Sequence, residues 1–247
     1  MKLNKLFAFI LLSILGLISN AKGQDSLLMK VSKHKNIWIG FNISPDLNFR
    51  NLVVLGDSMA LSKSIYNRRV GERIKFGYSF GLGLLINVSN KSALETGLQY
   101  SNKGYQSEWW PGNGNERAKN IYYLHYLDFS IKYNVVFGQK RLKFLIGSGL
   151  VTNVLIFKGF ASVSREKDGV VQRINYPIYD IAGQSGTTIS FVSNIGVSVN
   201  IKENNILKIE PTFKYAIFDF VGISIKSPYR QHLWSAGLTI GYYFRCK

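Results

Sequence analysis

The sequence predicts an all-β fold, an eight-stranded antiparallel up-and-down transmembrane β-barrel. Three observations point to it: segments in which polar and apolar residues alternate, connections that switch between short and long, and a leader-like N-terminus. Alternation with a period of two residues is the pattern of a strand whose two faces meet different surroundings. Short turns at one end and long loops at the other are typical of bacterial outer-membrane barrels.

The first 23 residues have the features of a secretory signal. They carry Lys2 and Lys5, continue with an apolar run and end on the small-x-small triplet Ala21-Lys22-Gly23. A basic start, an apolar centre and a small-residue cleavage pattern are typical of exported chains. We therefore expect three parts: a signal peptide over 1–23, a periplasmic N-terminal segment over 24–35 and an outer-membrane β-barrel domain over 36–247.

Eight alternating segments are long enough to cross a membrane at a tilt, which takes about 9 to 11 residues. The predicted strands are 36–44, 75–88, 92–102, 122–137, 141–157, 187–201, 205–219 and 231–244. Three connections are tight turns: Ser89-Asn90-Lys91, Gly138-Gln139-Lys140 and Lys202-Glu203-Asn204. The other four are long loops: 45–74, 103–121, 158–186 and 220–230. This arrangement predicts that both termini are periplasmic and that the long loops lie outside the cell.

The alternation also assigns the faces of each strand. In the second predicted strand, large apolar residues share one face: Phe76, Tyr78, Phe80, Leu82, Leu84 and Ile86. The opposite face is small or polar, and strands four, six and seven repeat the pattern. Outward aromatic residues near both strand ends predict two interfacial girdles: Tyr78, Tyr100, Tyr123, Phe157 and Trp234 near the loops, and Tyr133, Phe137, Tyr242 and Phe244 near the turns. The alternative is an ordinary aromatic-rich β core.

Inward parity places a set of charged residues inside the barrel: Lys75, Glu95, Asp128, Lys132, Lys143, Lys208, Glu210 and Lys214. A ring of eight strands leaves only enough width for side chains to fill. Because an unpaired ion in such a space is costly, we expect the three carboxylates to lie within salt-bridge reach of the inward lysines. This lumen charge network would close the barrel to solutes.

Three stretches of the sequence resemble a known family. They are Leu94 to Tyr105 (LETGLQYSNKGY), Tyr126-Leu127-Asp128 and the closing Gly237 to Phe244 (GLTIGYYF), and they resemble the PorT-like outer-membrane β-barrel proteins typical of Bacteroidota. The resemblance covers the chain after the signal and implies an outer-membrane barrel, while saying little about activity. The member that names the family is tied to the type IX secretion machinery. The chain departs from the family in the Arg245-Cys246-Lys247 tail after the last aromatic residue.

Three classes of function stay open at this stage. The first is a non-enzymatic structural or interaction protein of the cell envelope, in a secretion or envelope assembly. The second is a small solute channel. The third is a lipid-modifying enzyme using His125 or His232, with Asp219 and Ser235 as conceivable partners, because such enzymes need a histidine beside a serine and a carboxylate.

No local motif identifies a catalytic, cofactor-binding or metal site. His34, His125 and His232 are too scattered in the sequence to suggest metal ligands. Cys246 is the only cysteine, so an intramolecular disulfide cannot form. We therefore assign no catalytic residue, no cofactor and no metal.

The charge balance constrains the partners. The formal net charge is +17, and the expected partners are outer-membrane lipid, lipopolysaccharide reached by Lys226 and Arg230, and an acidic periplasmic or envelope protein docking at the basic turn end. Nucleic acid is not expected in the periplasm. In the second long loop, Tyr105, Trp109 and Trp110 could stack on sugars or anchor a partner protein, or they could rest on the barrel rim.

Overall fold

A computed structural model describes most of the chain after the leader. The described ranges are 37–54, 71–111, 117–138, 141–165, 171–177, 186–202, 204–218 and 229–246. The predicted signal peptide and periplasmic segment lie outside these ranges. Eleven strands occur within them: β1 (Ile37–Val54), β2 (Glu72–Arg73), β3 (Lys75–Ser89), β4 (Ser92–Ser107), β5 (Trp110–Pro111), β6 (Arg117–Phe137), β7 (Leu142–Arg165), β8 (Val171–Pro177), β9 (Thr187–Lys202), β10 (Asn205–Ala216) and β11 (Tyr229–Arg245).

Eight long strands form a closed antiparallel ring. Each is hydrogen-bonded to two neighbours in the order β1-β3-β4-β6-β7-β9-β10-β11, and β11 returns to β1. Ile39 of β1 shows the closure, since it is paired with Leu84 on one side and Phe244 on the other. The predicted eight-stranded antiparallel barrel is therefore confirmed. No helix within the described ranges is long and apolar enough to cross a membrane.

The ring has its apolar side outside and its polar side inside. In β6, Asp128, Lys132 and Asn134 are buried, whereas Phe129 is 46% exposed and Ile131 is 60% exposed. A soluble barrel of this kind would turn its apolar side toward a core. The inverted arrangement is that of a transmembrane barrel, and the predicted inward and outward faces are correct.

Several strands are longer than predicted. The first was predicted to end at residue 44 but continues to Val54, passing through Pro45, whose outward position keeps the alternation intact. Further strand residues lie in the predicted loops: β4 ends at Ser107, β6 begins at Arg117, β7 ends at Arg165, and β2, β5 and β8 lie wholly within them. β10 is shorter than predicted and ends at Ala216 instead of residue 219. The predicted strands end where a membrane crossing is complete, but in the structure the hydrogen-bonded pairing of the strands continues beyond that point.

These additional residues build a sheet beyond the ring at the loop end. β7 pairs with β9 as far as Val154 and then, from Gly159 onward, with β8 instead. We call this sheet the outer extension: β2, β5 and β8 together with 103–107 of β4, 117–123 of β6 and 159–165 of β7. Its residues lie on the loop side of the point where β7 stops pairing with β9.

The outward face can be tested at the middle of the apolar belt. Phe129→Arg should lower the free energy of unfolding by roughly 2 to 4 kcal/mol in lipid vesicles, because arginine near the bilayer midplane is costly. Phe129→Leu is the matched control and should change stability much less. Urea titration followed by tryptophan fluorescence measures both variants. Equal stability of the two would mean that Phe129 does not face lipid.

Candidate functional site

The turn-side half of the lumen contains four alternating charges, which we call the lumen ion cluster. Its members are Glu95 of β4, Lys132 of β6, and Lys208 and Glu210 of β10. Lys132 Nζ lies 3.0 Å from Glu95 and 3.5 Å from Glu210, while Lys208 Nζ lies 2.5 Å and 3.0 Å from the same two carboxylates. Each cation therefore contacts both anions, and the four charges cancel.

Neutral side chains complete the hydrogen bonding of this cluster. Asn134 donates to Glu95 at 3.2 Å, and Asn194 donates to Glu210 at 3.1 Å. The Tyr243 hydroxyl lies 3.1 Å from Glu95. A Cβ built on Gly83 would come within 2.7 Å of that hydroxyl, so a larger residue at this position would displace the tyrosine. Small inward residues thus make room for the large polar ones in a narrow lumen.

A second charged group lies nearer the loop end. Asp128 Oδ2 is 2.9 Å from Lys103 Nζ and 3.8 Å from Lys214 Nζ. Lys103 also donates to Asn153 at 2.5 Å. The pocket beside Lys103 and Lys214 has a volume of about 10 Å³, which is close to the space of a single water. Side chains therefore fill the barrel at this level too.

The outer end of the lumen is covered by Arg50 and its contacts. Its guanidinium forms an ion pair with Glu72 and donates to Gln231 at 2.7 Å. The same guanidinium lies 3.8 Å from the centroid of the Tyr105 ring, and Tyr105 stacks on Tyr122 with 4.5 Å between centroids. These contacts close the mouth of the ring where it meets the outer extension, to which Glu72, Tyr105 and Tyr122 belong.

The structure brings together six of the eight residues predicted for the lumen charge network. Glu95, Asp128, Lys132, Lys208, Glu210 and Lys214 form the ion pairs described above. Lys75 is buried but donates to Asn102 Oδ1 at 2.7 Å and to the Lys103 carbonyl at 3.1 Å. Lys143 is half-buried near the turn end, and no ion pair joins it to a described carboxylate.

Four lumen residues were missed: Asp46, Arg50, Glu72 and Lys103. They fall in the predicted loops 45–74 and 103–121, where the alternation assigns no inward or outward face. The signal was present in β1, where Asp46, Asn48 and Arg50 continue the polar inward alternation beyond residue 44.

The predicted loop contacts occupy three different positions. Tyr105 was predicted to lie in a loop but belongs to β4 and points into the barrel mouth. Trp109 is 41% exposed and lies 4.9 Å from Lys119 Nζ, in a surface pocket of about 310 Å³ lined by Arg73, Gln106, Ser107, Glu108, Trp109 and Lys119. Trp110 is paired with Ala118, and consecutive residues of β6 point to opposite faces. The two tryptophans therefore do not form one stacking surface.

The two described histidines, His125 and His232, lie on the outer wall. His125 is hydrogen-bonded to the Tyr100 hydroxyl and packs on Phe157, with 5.2 Å between ring centroids. His232 contacts the Ala216 carbonyl at 3.0 Å and faces outward, whereas Ser235 faces the lumen. Residues three apart in a strand point to opposite faces, so these two side chains do not form a catalytic pair. His34 and Asp219 lie outside the described residues.

No family model matches the chain, and no curated protein matches it. Among solved structures, Neisserial surface protein A has a TM-score of 0.44 at 13% identity, covering 85% of this chain and 97% of that one. Ail of Yersinia pestis has a TM-score of 0.37 at 11% identity, covering 86% and 100%. OprG of Pseudomonas aeruginosa has a TM-score of 0.38 at 12% identity, covering 87% and 98%. The architecture stated above is derived from this chain's own strand pairing and does not depend on these similarities.

Removal of one cation tests the lumen ion cluster. Lys208→Met should lower the free energy of unfolding by about 3 to 5 kcal/mol, because it leaves two buried carboxylates underpaired. Lys143→Met, the matched control, should change it by less than about 1 kcal/mol, since that lysine pairs with no described carboxylate. Urea unfolding in lipid vesicles provides the comparison. Similar losses in the two variants would contradict a cluster that stabilises the lumen.

Proposed function

We propose that this chain is a non-enzymatic outer-membrane β-barrel that acts as an interaction protein of the cell envelope through its outer extension. The observation that carries the proposal is the division of the molecule into a filled ring and an exposed sheet. The ring is occupied by paired charges along its length. The extension presents exposed residues, among them Trp110 and Val171, and the exposed Trp109 lies directly before β5. Interaction surfaces are enriched in such exposed aromatic anchors.

The location in the outer membrane is supported by the leader-like residues 1–23 and the apolar outer belt. Closed barrels are one of the two backbone arrangements that satisfy all hydrogen bonds in lipid. The resemblance to PorT-like proteins supports a role within a secretion or envelope assembly. His232 and Ser235 point to opposite faces of β11, which argues against this one pair as base and nucleophile, because serine catalysis requires the base within hydrogen-bond reach.

A filled lumen separates an interaction protein from a solute channel. The wild-type protein should give no steady ohmic current in planar bilayers, because the lumen ion cluster and the Arg50 contacts occupy the pore. Faster mobility of the unheated protein in detergent gels is the control that the protein added to the bilayer is a closed barrel. A steady wild-type pore would favour the channel alternative.

Site-specific crosslinking tests which end binds a partner. A photo-reactive amino acid at Trp110 should form one discrete protein adduct in living cells, because this position lies on the outer extension. The matched position Asn90, in the turn at the opposite end, should form none. An adduct at Asn90 alone would contradict the proposal and would favour docking at the turn end.

Labelling of the single cysteine in the same cells measures on which side of the outer membrane each end of the barrel lies. Cys246 is exposed at the end of β11, and a membrane-impermeant maleimide should label it only after the outer membrane is permeabilised. In a Cys246→Ser background, Val171→Cys on β8 should be labelled in intact cells. The reverse result would invert the proposed orientation.

A further inference from the structure

The outward face of the outer extension carries four cations on three adjacent strands. Arg117 and Lys119 lie on β6, Arg165 on β7 and Arg173 on β8. Arg117 is paired with Arg165, and both Lys119 and Arg173 are paired with Val163, so all four point to the same side of the sheet. We call this surface the basic face. Arg117, Arg165 and Arg173 are exposed.

Within the described residues, this charge is not balanced by ion pairs. Arg117 and Arg165 lie directly opposite each other, and like charges in that relation are destabilising. No ion pair joins Arg117, Lys119, Arg165 or Arg173 to a carboxylate of the described ranges. Lys119 Nζ lies 4.9 Å from the centroid of the Trp109 ring, and the Arg173 guanidinium lies 5.5 Å from that of Tyr123. Arg173 Nε also donates to the neutral Asn175 Oδ1 at 3.0 Å. The basic face is therefore suited to an anion supplied by a ligand.

The basic face continues without a break into the apolar wall below it. Arg173 Nη2 donates to the Tyr123 hydroxyl at 2.6 Å, and the Tyr123 ring lies 6.5 Å from that of His125. Next to His125, Phe157 is 47% exposed and Ile156 is 54% exposed. Cations, then aromatic rings, then exposed aliphatic groups succeed each other on one face. That order complements a molecule with an anionic head and an apolar tail.

We propose that the basic face binds the phosphates of an anionic glycolipid of the outer leaflet, of the lipid A type, whose acyl chains lie against Ile156 and Phe157. Arginine suits this task because its planar guanidinium donates two parallel hydrogen bonds to a phosphate. The inference rests on the proposed function in one respect, that the extension lies at the outer surface. A soluble phosphorylated saccharide would match the cations but would not use the apolar continuation.

Direct binding to the purified full-length protein tests the site. The probe is lipid A carrying both phosphates, titrated in mixed detergent micelles against fluorescently labelled protein. Arg117→Gln/Arg165→Gln should weaken binding at least about tenfold, because each cation near an anionic lipid contributes to affinity. The control Arg141→Gln/Arg245→Gln removes the same charge at the turn end and should stay within about twofold of wild type.

Two further probes separate the sources of the anion. Dephosphorylated lipid A should bind at least about tenfold more weakly than the phosphorylated form. The deacylated bisphosphorylated disaccharide should also bind weakly, because it lacks the tail. Binding of the disaccharide as tight as that of lipid A would overturn the glycolipid in favour of a soluble saccharide, and equal loss in both double variants would overturn the site.

Folding and orientation are measured independently of binding. Arg117→Lys/Arg165→Lys keeps the charge but loses the paired guanidinium donors, so it should bind more tightly than the glutamine variant and more weakly than wild type. Unheated gel mobility checks that every variant is a closed barrel. If Val171→Cys is labelled from outside but the basic face binds no lipid A, this inference fails while the orientation stands. If Trp110 yields no adduct while lipid A still binds the basic face, the protein-partner proposal fails alone.

Discussion

The width of an eight-stranded ring is the constraint on which the rest of this structure depends. Eight strands enclose a lumen that side chains fill, so a charge that is fully buried there needs an ion-pair or hydrogen-bond partner within the barrel. Glu95, Lys132, Lys208 and Glu210 meet this requirement because β4, β6 and β10 bring two acids and two bases to one level. Glycines such as Gly83 then leave room for Tyr243, which contacts the same carboxylate. The same set of residues therefore balances the buried charges and fills the volume of the lumen.

Because the lumen is filled, a surface that binds a partner has to lie outside the ring. The wall is apolar and faces lipid, and the lumen is occupied by ion pairs, so neither offers a site for a large polar partner. β6 and β7 continue past the ring and acquire a new neighbour in β8, which gives the chain a surface outside the lipid belt. The barrel in this view is the anchor, and the outer extension is the part that can differ without disturbing it.

The fold was predictable from the sequence because a membrane-spanning strand has one strictly apolar face. The alternation gave eight strands and the correct inward and outward residues of β3, β6, β9 and β10. The lumen charges of those crossings followed from the same parity. Beyond the membrane both faces of a strand can be polar, so the pattern fades, and the ends of β1, β4, β6 and β7 were predicted too short. Asp46, Arg50, Glu72 and Lys103 were missed for that reason.

The sequence could not reveal which inward lysines form an ion pair with a carboxylate. Lys75 and Lys103 have the same parity and similar surroundings in the sequence, yet Lys103 pairs with Asp128 whereas Lys75 donates to Asn102 and a carbonyl. The difference arises from strand register, which brings distant residues side by side. The same holds for the basic face, where Arg117 and Arg165 are 48 positions apart in the printed sequence and meet only through the β6–β7 ladder. Because like charges opposite each other weaken a sheet unless an anion lies between them, register turns unremarkable surface arginines into a candidate phosphate site.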